Sequence, residues 1–216
     1  MQTIKQNKDA IKKYAIIIDT FKCFDCKACM VACKVENNVP EGYWRNWVRH
    51  TGDLQGKRTH FQPGQCMQCE SPSCVAACPV GATYKRETDG LVVIDPDKCI
   101  GCANCVSACP YGARYRNPTS RLADKCDFCL HRLERGEIPA CVETCPTKAR
   151  TFGDLNDPES NVSQLMKSEK LVRIINPMVN TGPMIYYVKG TLPADWTVQP
   201  TLPGNVHMPL DFWTKS

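Results

Sequence analysis

Sixteen of the 216 residues are cysteine, and they fall into four groups of four with none left over. Group I is Cys23, Cys26, Cys29 and Cys33; group II is Cys66, Cys69, Cys74 and Cys78. Group III is Cys99, Cys102, Cys105 and Cys109; group IV is Cys126, Cys129, Cys141 and Cys145. Thiolates are soft ligands suited to zinc, cuprous copper and iron–sulfur clusters, and in an oxidising compartment they pair as disulfides. The first thirteen residues carry Lys5, Lys8, Lys12 and Lys13 but no apolar stretch, and no twin-arginine pair occurs. No secretory signal is therefore visible, and the chain is expected to fold in a reducing compartment where disulfides do not persist. Metal is the chemistry to expect.

The spacing narrows the metal. Groups I and III run C-x2-C-x2-C-x3-C and group II runs C-x2-C-x4-C-x3-C, whereas the central gap of group IV has grown to eleven residues. Proline follows the fourth cysteine of groups II, III and IV, as Pro79, Pro110 and Pro146. Group III is the bacterial ferredoxin run without deviation. Three thiolates two residues apart lie on one tight loop and take three corners of a [4Fe–4S] cube; the fourth ligates the other cube of a pair. Four groups then make two ferredoxin-like modules and four [4Fe–4S] clusters. A structural zinc site wants two C-x2-C pairs on one ion. Group IV alone passes for that, but the third cysteine of groups I and III has no use there. A zinc-stabilised interaction module stands as the remote alternative.

The elements that must hold these loops are short. The fold class expected is α+β, two bacterial-ferredoxin-like modules of two clusters each, with a connector and an extended Pro-rich C-terminal tail. Tyr14 to Asp19 is a β-branched run leading into group I, and Leu91 to Pro96 plays the same part before group III. A short helix or turn is expected after each fourth cysteine. Phe128 to Arg135, stopped by Gly136, reads as a helix inside group IV. Pro158 to Lys170 reads as a helix and Met184 to Val188 as a strand. Asn37 to His60 is a polar connector carrying Tyr43, Trp44 and Trp47. Residues 191–216 hold Pro193, Pro200, Pro203 and Pro209 between aromatics, which predicts an extended arm lying on this chain or a partner.

Other chemistry is thin. His50, His60, His131 and His207 form no pair at metal spacing. His131, two residues after Cys129, and Lys148, three after Cys145, are candidates for tuning a cluster. Asp25, Glu36 and Glu143 are isolated carboxylates, and no nucleophile triad, phosphate loop or flavin fingerprint appears. The chain is expected to carry no catalytic site and to bind no small-molecule substrate directly. Arg114, Arg116, Arg121, Lys125, Arg132, Arg135, Lys148 and Arg150 gather around groups III and IV. No nucleic-acid motif accompanies them, and they are read as compensation for cluster charge. The longest early apolar run, Ala15 to Ile18, is far short of a membrane span.

Three stretches carry a family likeness: "CKVENNVP", "CVAACPVGATYKRETDGLVVIDPDKCIGC" and "CDFCLHRLERGEIPACVETCPTKARTFGDLNDPES". With the order of the groups, they resemble the four-cluster iron–sulfur subunit of the molybdopterin (dimethyl sulfoxide reductase-type) oxidoreductases, above all the polysulfide, thiosulfate and tetrathionate reductase subunits. The likeness covers roughly residues 14–160. It implies nested pairing. Module A joins residues 14–36 to 126–155, module B is 60–125, the connector is 37–59, and 156–216 is a C-terminal extension with a partner-docking tail. It implies these ligand sets: Cys23, Cys26, Cys29 and Cys145; Cys126, Cys129, Cys141 and Cys33; Cys66, Cys69, Cys74 and Cys109; Cys99, Cys102, Cys105 and Cys78. Spacing independently supports joining groups II and III, because twenty residues separate Cys78 from Cys99 as in ordinary two-cluster ferredoxins. Some relatives replace the residue matching Cys102 and carry a three-iron cluster, so its presence implies four-iron clusters throughout.

The implied role is a wire between a large molybdopterin (molybdenum or tungsten) catalytic subunit and a membrane quinone- or quinol-interacting subunit. The implied place is peripheral, at the periplasmic face of the inner membrane, reached with a signal-bearing partner; the alternative is cytoplasmic. A cluster subunit of a hydrogenase or formate dehydrogenase complex, or a free polyferredoxin, is the runner-up. The clusters also bear on two oddities of composition. Setting cysteine aside leaves about 36% apolar residues, a lean core for this length. The formal charge is +5 with every Cys counted neutral. A [4Fe–4S]²⁺ core with four thiolates carries about −2, so four bring the holo-chain to about −3.

Overall fold

In the computed structural model the described residues are 11–52, 59–176 and 179–189. The Pro-rich arm, His207, the first lysines and the side chain of His60 lie outside them. Four cysteine loops alternate with short strands. β1 (Tyr14–Ile18) leads into group I, whose third and fourth cysteines sit on α1 (Ala28–Glu36). The hairpin β2 (Asn46–Gly52) and β3 (Thr59–Gln65) leads into group II with α2 (Ser73–Ala76). β4 (Thr83–Lys85) and β5 (Val92–Ile94) join groups II and III, with α3 (Asn104–Ser107) inside the latter. β6 (Arg114–Arg116) and β7 (Ala123–Lys125) join groups III and IV; α4 (Leu130–Leu133) and α5 (Ala140–Glu143) lie within group IV. β8 (Arg150–Asp154), α6 (Asn161–Ser168), β9 (Leu171–Val172) and β10 (Ile185–Val188) complete the described chain.

One four-stranded sheet runs in the order β8-β1-β10-β9, with β1 antiparallel to β8 and parallel to β10. β1 is buried along its whole length because both of its faces are covered. Side chains alternate across a strand: Tyr14, Ile16 and Ile18 join the main core with the cysteines. Ala15 and Ile17 join Val162 of α6 and Met184. Burial of each isoleucine stabilises the sheet by about 1.5–3 kcal/mol. On the outer face Ser160 caps α6, its Oγ accepting from Ser163 N at 3.2 Å.

Several expectations shift. A helical turn carries the third cysteine of each group; in group I it runs on past the fourth as α1, and in the other three groups a turn follows the fourth, within the helix or turn expected there. Within group IV the helix is confined to Leu130–Leu133, since Phe128 (φ 59°) and Cys129 (φ 55°) are left-handed and delay its start. α6 begins at Asn161 because Ser160 is extended, and ends before the extended Glu169. A paired hairpin spans the end of the connector and the approach to group II, with Trp47 laid over Gly64, where an added Cβ would sit 2.5 Å from the indole Nε1. The strand expected at 184–188 forms as β10 and closes the sheet against the chain's first strand.

Candidate metal centres

The four loops share a backbone device. The residue just before the second cysteine is left-handed in each group: Asp25, Gln68, Gly101 and Phe128. Only Gly101 advertises this in the sequence. Non-glycine residues held there store of order 1–3 kcal/mol of strain each and mark functional loops. Such turns make concavities of backbone N–H groups that favour anions, iron–sulfur sites among them. Backbone N–H groups of Thr83, Phe128 and Ala149 donate to Cys78, Cys126 and Cys145 Sγ at 3.4, 3.5 and 3.3 Å.

The thiols gather in fours drawn from different groups. Cys23, Cys26, Cys29 and Cys145 line one cavity of about 340 Å³ including its open mouth, together with Arg150. Cys33, Cys126, Cys129 and Cys141 line a second of about 290 Å³, with Asn37, Arg45 and Gln65. Cys66, Cys74 and Cys109 surround Cys69 closely enough to act on its charge. Cys105 lies on α3 and Cys78 follows α2, and these two helices pack together, with Cys99 and Cys102 on the loop before α3. Among the described residues no three His, Cys, Asp or Glu side chains close on a single ion-sized point.

Electrostatics fit a cationic inorganic core. Burial, then mutual repulsion with neighbouring cysteines, pushes Cys69 up to about 12; burial and Cys66 push Cys109 up to about 11. Burial also carries Cys141 to about 12, against the pull of Arg150, and lifts Cys33 and Cys126 well above the ordinary thiol range. Cys78 alone is lowered, its backbone hydrogen bonds from Thr83, Val80 and Ala82 outweighing burial. Buried thiols of this kind ionise together only when a cation compensates them. Arg114 is 2% exposed, and its Nε and Nη2 make no hydrogen bond among the described residues, which suits a guanidinium beside a thiolate-ligated cluster of net negative charge. The groups acting on it are Cys74, Cys66, Cys105 and Cys109.

Two family models described as "4Fe-4S dicluster domain" match residues 57–155 and 22–82. A tetrathionate reductase subunit of Salmonella typhimurium is 42% identical over 184 residues, spanning 82% of this chain and 72% of that protein. A polysulfide reductase polypeptide of Wolinella succinogenes is 42% identical over 182 residues, 82% of this chain and 94% of that protein. This protein belongs to the iron–sulfur subunits of the molybdopterin oxidoreductases. An archaeal relative, a tetrathionate reductase subunit of Archaeoglobus fulgidus, is 46% identical over 179 residues, 83% of each chain. As an iron–sulfur subunit of this family the protein holds [4Fe–4S] clusters and transfers electrons through them.

Within this iron–sulfur subunit, the two side chains singled out for tuning face a carboxylate and solvent. His131 Nε2 sits 2.7 Å from Glu36 Oε1, and Lys148 is exposed on the turn after Cys145. Other residues, unremarked in the sequence, approach the thiols. Asn37 Nδ2 reaches Cys33 and Cys129 Sγ at 3.7 and 3.6 Å, and Arg45 Nη1 holds Asn37 Oδ1 at 2.8 Å. Arg45 is itself fixed by Asp124 at 2.7 Å. Arg132 ties α1 to the group IV helices through Glu36, Glu143 and the Ile138 carbonyl. Of the basic set, Arg114, Lys125 and Arg150 are buried, whereas Arg116, Arg121, Arg135 and Lys148 are exposed. Among the described residues no helix is long and apolar enough to cross a membrane.

Proposed function

We propose that this subunit carries four [4Fe–4S] clusters in the series Cys23/Cys26/Cys29/Cys145, Cys33/Cys126/Cys129/Cys141, Cys66/Cys69/Cys74/Cys109 and Cys78/Cys99/Cys102/Cys105. Each supplies a one-electron carrier. The chain's residues bind them, shield the inner ones from water and leave the outer ones accessible. The observation that carries this reading is the exposure of the thiols. Cys26 and Cys102 are the two exposed cysteines, and they fall in the first and last sets of the series. Each has apolar side chains in the open beside it, Phe21 and Phe24 near Cys26 and Ile100 near Cys102. Exposed apolar side chains beside the outer thiols suit partner contacts.

The first set then serves a large molybdopterin catalytic subunit and the last a membrane quinone-interacting subunit. The module limits are residues 14–36 with 126–155 and residues 60–125. The complex sits at the periplasmic face of the inner membrane, and catalysis belongs to the partner. Anaerobic purification from the native source tests this. About sixteen iron and sixteen sulfide per chain, four per cluster, with a co-purifying pterin-containing subunit, is the expected result. A lone stable monomer, or zinc without sulfide, overturns it, and recovery of the complex only from cytosol overturns the location.

A further inference from the structure

Among the described residues three cations are buried without a carboxylate partner. Arg150 is 2% exposed, Arg114 2% and Lys125 3%. Their hydrogen-bond acceptors are an amide, a thiol sulfur, a hydroxyl and two carbonyls. Removing an arginine or lysine from water costs several kcal/mol even after relaxation, so buried cations persist where a counter-charge meets them. Here the counter-charge comes from the thiol sets.

Their placement follows the series. Arg150 opens β8, lines the cavity of Cys23, Cys26, Cys29 and Cys145, and donates to Cys29 Sγ at 3.9 Å through Nη2. Its Nη1 donates to Gln65 Oε1, and Gln65 lines the cavity of the second set, so Arg150 stands between the first and second. Lys125 ends β7 and donates to the Cys126 carbonyl at 3.0 Å and to the Val92 carbonyl. Buried Gln68, which precedes Cys69 of the third set, donates to the same Cys126 carbonyl at 2.9 Å, so Lys125 stands between the second set and the third. Its charge also pulls the Cys74 thiol down. Arg114 opens β6 and acts on Cys66, Cys74 and Cys109 of the third set and on Cys105 of the fourth. Its Nη1 donates to Thr83 Oγ1 at 3.2 Å, and Thr83 N donates to Cys78 Sγ of the fourth set at 3.4 Å. The two arginines occupy one repeat position: Cys109-Pro-Tyr-Gly-Ala-Arg114 and Cys145-Pro-Thr-Lys-Ala-Arg150, with Thr83 in the same place after Cys78.

We propose that Arg150, Lys125 and Arg114 are positioning residues forming a ladder of fixed positive charge, one rung in each gap between successive clusters, that raises the reduction potential of the cluster on either side. This rests on the four-cluster reading above. Taking up one electron adds one negative charge to a cluster, from the 2+ to the 1+ core, and a buried cation stabilises that state strongly because little water screens it. A rung shared between two clusters acts on both and leaves the more distant ones alone.

The test uses the full chain loaded anaerobically, with iron and sulfide counted first and each cluster followed by EPR-monitored redox titration. Arg150→Met, Lys125→Met and Arg114→Met are each expected to lower the reduction equilibrium of the two flanking clusters about tenfold, 59 mV for a one-electron couple. The other two clusters stay in place, and Arg150→Lys, Lys125→Arg and Arg114→Lys restore the original values. Full loading with unmoved potentials, or an equal shift of all four, overturns the ladder. Should a Met variant load incompletely, Gln65→Glu, Gln68→Glu and Thr83→Glu neutralise the same cations from beside them. The same local fall is expected, and its absence overturns the proposal. An unaltered chain lacking iron and sulfide overturns the cluster reading itself, and the ladder with it.

Discussion

Asn37 and Cys129 are separated by 92 positions, yet the amide Nδ2 lies 3.6 Å from the sulfur. The same nitrogen caps α1 through the Cys33 carbonyl at 3.0 Å. Hydrogen bonds to a ligating sulfur favour the electron-rich reduced state and raise the potential. Asn37→Leu is expected to lower the potential of the cluster at Cys33, Cys126, Cys129 and Cys141 by some tens of millivolts and leave the others unmoved. EPR-monitored titration reads this directly. The lost cap adds a stability cost of about 1 kcal/mol, seen separately in thermal denaturation.

Arg132 pins α1 to the group IV helices. Its guanidinium binds Glu36 at 2.9 Å and also Glu143, and Nε donates to the Ile138 carbonyl at 2.8 Å. Arg132→Ala is expected to cost about 2 kcal/mol, since a charged donor to several acceptors is removed. The more exposed His131→Ala is expected to cost under about 1 kcal/mol. The hydrogen bond from His131, more than those from Arg132, holds the Glu36 carboxyl below its ordinary value of 4.5. A lowered carboxyl stabilises the fold above its unfolded value and loses that contribution as pH falls through its folded value. The Arg132→Ala deficit is therefore constant from neutral pH down to about 4.5 and shrinks below it. Denaturation midpoints across that range are the measurement.

Two glycines separate strain from collision. Gly101 is left-handed at φ 68°, and a Cβ there would lie 2.4 Å from the Arg121 carbonyl oxygen. Gly81 is left-handed at φ 64° but has nothing within 4 Å. Gly81→Ala is expected to cost about 1 kcal/mol and keep full iron. Gly101→Ala shifts the loop before Cys102 and is expected to leave about twelve iron per chain instead of about sixteen. Iron and sulfide assays tell them apart.

Stripping the clusters removes more than the redox chemistry. The main core packs Tyr14, Met30, Phe128 and Phe152 with Cys29, Cys126 and Cys141. Anaerobic chelation of iron is expected to abolish the near-ultraviolet signal of Trp47 and its neighbours together with the visible absorbance, in one transition. Loss of colour with an unchanged aromatic signal would show that the polypeptide holds its packing alone.

The sequence made the chemistry legible at once because ligands keep their residue type and spacing whatever surrounds them. β1, β5 and β10 were equally plain, being β-branched or aromatic runs. What escaped was non-local or backbone-borne. The parallel pairing of Ile17 with Tyr186 carries no local signature. The left-handed Asp25, Gln68 and Phe128 are residues with no intrinsic bias strong enough to announce it. β2 read as polar connector, and β3 escaped notice because Gln62 and Gln65 are buried against expectation for their type. Gathering Cys33 with Cys129 and Cys141 needs the chain's return from group IV, which spacing cannot express.

The place of β10 beside β1 sets a schedule for synthesis. Groups II and III are complete in the nascent chain at Cys109, with the β4–β5 hairpin between them already made. The sheet that backs the first cavity cannot close until Val188 has left the ribosome. At about 5–20 residues per second, several seconds pass in which the middle of the protein is ready for iron and the group I thiols wait. The segment of groups II and III is made whole first and β1 is joined by β10 last, so a truncation before Ile185 is expected to spare the centre and leave the first-made cysteines unloaded.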